Sequence, residues 1–205
     1  MLIYKDGKNY YATKENNKYY GVQPYIESDG IAYTRLLESG DSLSIKYVSI
    51  KFQTLDTSSS DKRYVLGNYN QTSTSDNYFG VITEYVSGSY KFGWSSGGNQ
   101  QASYFYEFQN NDDIQEYKKV SAQVFTTSNT NFICFGYHYY PYGGYGQKVV
   151  PKKIRLWYVT FFNNGGQVVA DYVPKIVNNE VGLYDRRRNK FFPNVAGSGQ
   201  LKYCI

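Results

Sequence analysis

The sequence predicts an all-β protein: a β-sandwich of two antiparallel sheets with jelly-roll connections and a small β arm at the N-terminus. Aromatic residues make up 19% of the 205 residues, and 25 of them are tyrosines. Aromatic and β-branched side chains favour the pleated surface of a sheet. Several short segments also alternate apolar and polar residues between turn-forming stretches. Because each sheet must bury one face against another layer, a sandwich is expected.

Residues 1–23 differ in composition from the rest of the chain and predict a small β arm. Residues 2–11 are typical of a hairpin that turns at Asp6-Gly7, a pair that favours tight turns between strands. Such an arm either closes one end of the main domain or contacts a neighbouring subunit, and tyrosine is common at interfaces because its ring is apolar while its hydroxyl stays wet. The candidate residues for attachment and oligomer contact are Tyr4, Tyr10, Tyr11, Tyr19 and Tyr20.

Residues 24–205 are predicted to form one domain, because 41% of the chain is hydrophobic and no internal repeat or long linker divides it. Within this domain, residues 48–52 and 120–124 alternate apolar and polar side chains, the pattern of strands with one face in water. Residues 132–137 and 154–162 are apolar at both parities, which predicts central strands covered on both faces.

Stretches rich in Ser, Thr, Gly, Asn or Pro predict loops at residues 57–61, 68–77, 94–101 and 136–146. Residues 112–120 fit a helix capped by an aspartate, and their second half fits a strand equally well.

Charge and composition exclude several classes of function. The 22 Lys and Arg against 17 Asp and Glu give a net charge of +5, spread along the chain, whereas a nucleic-acid-binding surface needs clustered cations. No apolar run approaches the roughly 18 residues of a membrane span, and the N-terminus lacks the basic and apolar segments of a standard secretion signal. We therefore expect neither nucleic-acid binding nor membrane insertion.

No cofactor is expected. The two cysteines, Cys134 and Cys204, with a single histidine cannot build a four-ligand zinc site and permit at most one disulfide. Whether these cysteines pair is left open by the sequence. Asp56, Asp61 and Asp76 lie in candidate loops where calcium ligands occur, but scattered single aspartates are more typical of turns.

The sequence does not predict an enzyme. A glycosidase on a β-sandwich needs two carboxylates about 5 to 9 Å apart, and no Glu-x-Asp-x-Glu or similar run places two on one strand face. A Ser-His-acid triad would have to use His138, which lies in a stretch rich in Tyr and Gly, and neither a G-x-S-x-G elbow nor a phosphate-binding loop is present. A glucanase or lyase is therefore the weakest functional hypothesis.

Two parts of the chain carry a resemblance to a known family. Residues 25–33 (YIESDGIAY) resemble the opening strand "YIESxGxQY" of concanavalin A-like, laminin-G-like jelly-roll domains, which occur in gut-bacterial surface proteins and their phages. The family's ending is resembled more specifically by residues 153–157 (KIRLW), 169–174 (VADYVP), 180–185 (EVGLYD) and 194–199 (NVAGSG). The resemblance implies a concanavalin A-like jelly roll whose first and last strands pair. The N-terminal arm falls outside it.

The residues of this ending also have a direct physical interpretation. Gly182 inside a strand pattern predicts a bulge or a close backbone approach, and Asp185 to Asn189 predicts a turn. Pro174 is expected to end its strand, because it has no N–H to donate. The run from Arg186 to Arg188 departs from the family, and we expect a solvated hairpin turn there; the alternative is contact with an acidic glycan or with the acidic surface of a partner.

Carbohydrate binding is the sharpest functional hypothesis from the residues. Sugars present apolar C–H faces between hydroxyls, so their sites pair exposed aromatic rings with amide or carboxylate groups. The predicted loops at residues 94–101 and 136–146 provide such aromatic and polar groups. The alternative is that the aromatic side chains of these loops pack over the sandwich end or against another subunit. The candidate carbohydrate-binding residues are Trp94, Asn99, Tyr139, Tyr140, Tyr142 and Tyr145.

Together these observations favour a non-catalytic structural protein of a phage virion, from a fibre, the tail or the head decoration. It is expected on the virion surface as a homo-oligomer, a trimer or a dimer, in contact with other virion proteins, and able to bind host-surface glycans. The alternative is a lectin or adhesin module on the bacterial cell surface, which would bind glycans as a monomer. The glycan itself is not identified by the sequence.

Overall fold

The computed structural model describes residues 2–5, 8–15, 18–21, 23–55, 63–71, 76–86, 89–96, 102–108, 114–127, 132–139 and 148–205. These residues form strands and contain no helix, which confirms the all-β prediction. In the same ranges, no helix is long and apolar enough to cross a membrane.

The strands in the arm are β1 (Leu2–Lys5), β2 (Lys8–Glu15) and β3 (Lys18–Gly21), which form a three-stranded antiparallel sheet in the order β1-β2-β3. Lys5 pairs with Lys8, so the predicted hairpin is confirmed in its strands and register. Its turn residues, Asp6 and Gly7, lie outside the described part.

The remaining strands are β4 (Tyr25–Ser28), β5 (Thr34–Arg35), β6 (Leu43–Thr54), β7 (Arg63–Gln71), β8 (Asp76–Val86), β9 (Ser89–Ser96), β10 (Ala102–Phe108), β11 (Gln115–Thr127), β12 (Ile133–Cys134), β13 (Gly136–Tyr139), β14 (Lys148–Pro151), β15 (Ile154–Phe162), β16 (Val168–Val177), β17 (Glu180–Asp185), β18 (Lys190–Pro193) and β19 (Leu201–Cys204). One eight-stranded sheet has the order β10-β9-β8-β7-β12-β5, with β13 paired to β7 and β14 paired to β13. The other has the order β11-β6-β15-β16-β17-β18, with β4 paired to β15 and β19 paired to β4. The pairings are antiparallel except for one parallel bridge between β13 and β7.

The core lies between the two eight-stranded sheets, which makes the domain a β-sandwich. Phe52 of β6 contacts Phe92 of β9 across the sheets, with ring centroids 5.7 Å apart. Phe161 of β15 contacts Phe132 across the same layer at 5.7 Å. Each of these rings is fully buried, and burial of one such side chain contributes about 1.5–3 kcal/mol.

Several predictions from periodicity are confirmed. Residues 48–52 bury Val48, Ile50 and Phe52 on the core face of β6. Residues 132–135 are all buried, and β12 lies between β5 and β7 as a central strand, although the chain turns at Phe135, where φ is 68°. Residues 115–120 belong to β11, so the strand alternative is correct there.

The predicted loops are wrong where strands run further than composition suggests. Residues 68–71 and 76–77 belong to β7 and β8, residues 94–96 to β9, and residues 136–139 to β13. The hydrogen-bonded ladders of these hairpins override the weak strand preference of Ser, Asn and Gly. The rest of the predicted loops, including residues 57–61, lies outside the described residues.

The C-terminal ending behaves largely as its residues predict. A Cβ added at Gly182 would lie 2.4 Å from the Phe192 carbonyl oxygen, so the close backbone approach is confirmed. Asp185 Oδ1 accepts from the backbone N–H of Arg187 at 2.9 Å in the predicted turn. The opening and closing strands also pair, with Ser28 opposite Leu201.

Candidate functional site

A fork in the second sheet creates a groove on the described surface. At its C-terminal end β15 pairs with β16, with Val159 opposite Tyr172. Near its N-terminal end the same edge of β15 pairs with β4, with Leu156 opposite Ile26. Beyond Tyr172, β16 therefore leaves β15 and continues beside β17 alone, so a gap opens between β16 on one side and β4 with β19 on the other.

Pro174 lies in the middle of β16, and the expectation that it ends the strand is wrong. The strand continues to Val177, with Pro174 opposite Leu183 of β17. At this point β16 has a paired strand on one side only. An edge residue needs no N–H on its open side, which is why proline is tolerated there.

The groove at the fork has a volume of about 860 Å³. This lies within the roughly 300–1,000 Å³ typical of small-ligand sites. Its walls come from the segment before β4 and from strands β15, β16, β17 and β19. The lining residues are Gln23, Pro24, Trp157, Tyr158, Thr160, Val173, Pro174, Lys175, Ile176, Tyr184, Arg186 and Tyr203.

A β-bulge brings the tryptophan into this groove. Leu156 pairs with Phe52 and Tyr158 pairs with the preceding residue Lys51, so Trp157 is the extra residue in the ladder. Bulges of this kind change the direction of a side chain and are common beside functional sites. Trp157 is 9% exposed, and its ring lies 4.9 Å from that of Tyr25.

Three tyrosines complete the aromatic lining. The Tyr158 hydroxyl donates to Glu116 Oε1 at 3.0 Å, and burial together with that carboxylate raises the pKa of Tyr158. Burial also raises the pKa of Tyr203. Lys175 Nζ lies 3.6 Å from the ring centroid of Tyr184, a close cation–π contact. The Tyr184 hydroxyl likewise donates within the protein, to Asn189 Oδ1. The groove thus combines apolar ring surface with the ammonium donor of Lys175.

Arg186 is held at the rim by a chain of hydrogen bonds. Its Nε and Nη2 atoms lie 2.8 and 2.7 Å from Oδ2 of Asp171, and its backbone N–H donates to the Asp171 carbonyl at 2.9 Å. The other carboxylate oxygen of Asp171 accepts from the Thr160 hydroxyl at 2.9 Å. The guanidinium is therefore fixed in direction although 60% of the side chain is exposed.

Arg188 corrects the expectation of a fully solvated arginine turn. Only 16% of its side chain is exposed, and its Nε donates to the carboxylate of Asp185, which has no exposure. Its remaining nitrogens donate to Asp41 Oδ2 at 3.2 Å, to the Leu36 carbonyl at 2.9 Å and to the Tyr172 hydroxyl. Arg188 thus ties the turn to the core, whereas Arg186 and Arg187 are exposed as expected.

Asp41 belongs to the same network. Burial alone would raise the pKa of this carboxyl, but hydrogen bonds from Lys190 Nζ at 2.8 Å and from the Glu38 N–H, with the charge of Arg188, outweigh it. The pKa of Asp41 is consequently lowered. The network is a structural device that anchors the Asp185 turn, and it is separate from the groove lining.

Two of the carbohydrate candidates predicted from the sequence, Trp94 and Tyr139, belong to strands β9 and β13 rather than to loops. Asn99, Tyr140, Tyr142 and Tyr145 lie outside the described residues. The arm tyrosines are described in their backbone alone: Tyr4 in β1, Tyr10 and Tyr11 in β2, and Tyr19 and Tyr20 in β3.

Sequence reasoning missed the residues of the groove. Residues 154–162 were expected to be covered on both faces, and this is wrong for Tyr158 and Thr160, which are only half-buried and line the groove. The tyrosine at an outward position of an otherwise apolar strand was the available signal. The fork itself has no local signal, because it depends on β4 pairing with a strand about 130 positions away in the chain.

The predictions about metal ligands and cysteines concern Asp56, Asp61, Asp76, Cys134 and Cys204. The residues described there contain no group of three or more His, Cys, Asp or Glu side chains that could hold a metal ion. Of the calcium candidates, Asp76 begins strand β8, while Asp56 and Asp61 lie outside the described residues. Cys134 and Cys204 are free thiols in this structure, and burial raises the pKa of Cys134.

Comparison with known proteins yields no relative: no family model, curated protein or solved structure matches this chain. The functional argument therefore depends on the geometry of the groove and on the chemistry of its lining.

Proposed function

We propose that the protein is a non-catalytic, lectin-like jelly-roll module of a phage virion, from a fibre, the tail or the head decoration, and that it binds host-surface glycans in the groove at the fork. The observation that carries the proposal is the lining of this groove, where Trp157, Tyr158, Tyr184 and Tyr203 surround about 860 Å³. Flat rings suit the C–H faces of sugars, and the Lys175 ammonium beside the Tyr184 ring can donate to sugar oxygens.

The lining of the groove favours a binding role over catalysis. A glycosidase needs one carboxyl whose pKa is raised so that it can act as the acid. The lining of the groove contains no carboxyl group that could take this role. Asp171 beside the groove is engaged by Arg186, so it is poorly placed to activate water.

The arm supports an assembly role beside the binding role. A three-stranded sheet as small as β1 to β3, with 16 residues in its strands, needs an apolar face for stability, and such a face has to pack against another layer. Contact with a second copy or with another virion protein would provide that packing. The alternative of a bacterial cell-surface lectin uses the same groove but predicts a monomer.

The binding role is tested on a glycan array with the full chain and two variants. Tyr184→Ala removes a ring of the groove. Tyr47→Ala is the matched control: Tyr47 is also a half-buried strand tyrosine beneath a lysine, with its ring centroid 5.6 Å from Lys119 Nζ, but it lies outside the groove. We expect binding to fall roughly tenfold in Tyr184→Ala and to stay unchanged in Tyr47→Ala. Equal binding by both variants would remove the groove from the proposal.

A further inference from the structure

We propose that the groove selects anionic sugars, those bearing a carboxylate, sulfate or phosphate group, over their neutral counterparts. This inference rests on the proposed glycan-binding function and specifies its ligand class. The lining contains two cationic side chains, Lys175 and Arg186, and no carboxylate. Sites for neutral sugars commonly use carboxylate or amide oxygens as acceptors for the sugar hydroxyl protons. In this lining the one side-chain amide is that of Gln23, and its Oε1 already accepts from Lys51 Nζ at 3.5 Å.

Arg186 is preorganised for an anion. Its ion pair with Asp171 uses Nε and Nη2 and a single carboxylate oxygen. Among the described residues, its Nη1 group has no protein acceptor, so it can donate to a ligand at the rim. Because the guanidinium is already fixed, little further side-chain entropy is lost on binding, and its planar donors match carboxylate and sulfate oxygens.

Lys175 supplies the second cationic position. Its neighbour across the ladder is Gly182, which has no side chain, so the lysine can extend along the sheet to Tyr184. Its ammonium lies 3.6 Å from that ring centroid, and its three donors can rotate toward an anion above the ring. The aromatic ring and the charge therefore lie side by side, where a sugar ring and its acidic substituent would meet them.

The charged groups around the groove do not cancel this field. Asp171 is paired with Arg186, and Glu116 accepts from Tyr158 with Lys118 3.8 Å away. Lys51 lies 3.5 Å from Gln23 of the lining and 5.5 Å from the Trp157 ring centroid. When each of these ion pairs is counted as neutral, the charges of Lys175 and Lys51 remain, so the surroundings of the groove carry an excess of positive charge.

The test uses the full chain and pairs of polysaccharides that differ in their anionic groups. Polygalacturonate is compared with its methyl ester, and dextran sulfate with dextran, each by calorimetric titration at one ionic strength. The first pair probes carboxylate and the second probes sulfate. We expect each recognised anionic polymer to bind at least roughly tenfold more tightly than its neutral counterpart.

Two matched variants separate the groove from the net charge of +5. Lys175→Gln removes the groove ammonium, and Lys119→Gln removes an exposed ammonium over other rings of the same face, 5.6 Å from Phe162. Loss of the anion preference in Lys175→Gln alone supports the inference. Equal loss in both variants, or a preference that neither changes, overturns it.

The outcomes also distinguish this inference from the function on which it rests. Equal binding of charged and neutral polymers that weakens in Tyr184→Ala overturns anion selection and leaves the glycan-binding function in place. Absence of binding to every polymer, followed by absence of binding on the array, overturns both.

Discussion

Replacement of Arg188 by methionine should destabilise the fold more than the same replacement of Arg186 or Arg187. The substitution leaves the Asp185 carboxylate, which has no exposure, without its guanidinium partner. Methionine keeps most of the volume beside the rings of Tyr172 and Phe192, which lie 5.6 and 5.5 Å from the Arg188 guanidinium carbon. The variant therefore reports on the lost charge and hydrogen bonds rather than on a cavity.

The magnitude follows from what Asp185 keeps. Breaking a buried ion pair by removing one partner costs about 3–5 kcal/mol. Asp185 Oδ1 still accepts from the backbone N–H groups of Asp171 at 3.0 Å and Arg187 at 2.9 Å, so part of its charge stays solvated by the backbone. We therefore expect a loss near the lower limit, about 3 kcal/mol in the free energy of unfolding.

The assay is equilibrium unfolding in urea at pH 7, with Arg187→Met as the matched control in the same turn. Arg187 is exposed, and its replacement should change the free energy of unfolding by less than about 0.5 kcal/mol. The double variant Asp185→Asn with Arg188→Met should recover part of the loss, because the uncompensated charge is gone. Similar stability for the Arg188→Met and Arg187→Met variants would refute the account of the network.

Three further predictions concern the pH dependence, the packing and the assembly. Because the folded pKa of Asp41 is lowered, the stability that its carboxylate contributes is present above the unfolded pKa of about 4 and is lost as the pH falls through the folded pKa. Below pH 4, the urea midpoint should therefore fall less in Asp41→Asn than in the wild type. Parallel curves of midpoint against pH for the two proteins would contradict this. Gly182→Ala should lower the free energy of unfolding by about 1–3 kcal/mol, since the added Cβ would lie 2.4 Å from the Phe192 carbonyl oxygen. Gly197→Ala is the control and should be neutral in the same urea assay, because a Cβ at Gly197 has nothing within 4 Å. Equal effects of the two substitutions would show that β17 and β18 can separate. Light scattering should show an oligomer for the full chain and a monomer for a chain that starts at Gln23, and two monomers would remove the arm from assembly.

The sequence predicted those features that depend on neighbours within a few residues. The alternation at Val48, Ile50 and Phe52 identified the core face of β6 because side chains on a strand point to opposite faces with a period of two. Gly182 and the Asp185 turn were predicted correctly for the same reason, since a missing side chain and a carboxylate that accepts from the next N–H groups act locally.

Features that depend on distant strands were not predictable in this way. The burial of Arg188 depends on Asp41 and Leu36, roughly 150 positions earlier in the chain. The groove depends on β4 and β16 sharing one edge of β15, and no window of the sequence contains all three strands. Strand lengths were underestimated at residues 68–71 because ladder hydrogen bonds override the preferences of Asn and Gln.

The claim that ligand binds at the fork is tested most directly through the two tryptophans of the chain, Trp157 and Trp94. Trp157 lines the groove, whereas Trp94, in β9, is the tryptophan predicted from the sequence to contact carbohydrate. A titration with the tightest-binding glycan is followed by the two ¹⁵N-labelled indole N–H signals, assigned with a Trp157→Phe variant. The account predicts that the Trp157 signal shifts with saturation while the Trp94 signal stays in place; a saturable shift of Trp94 alone would contradict it.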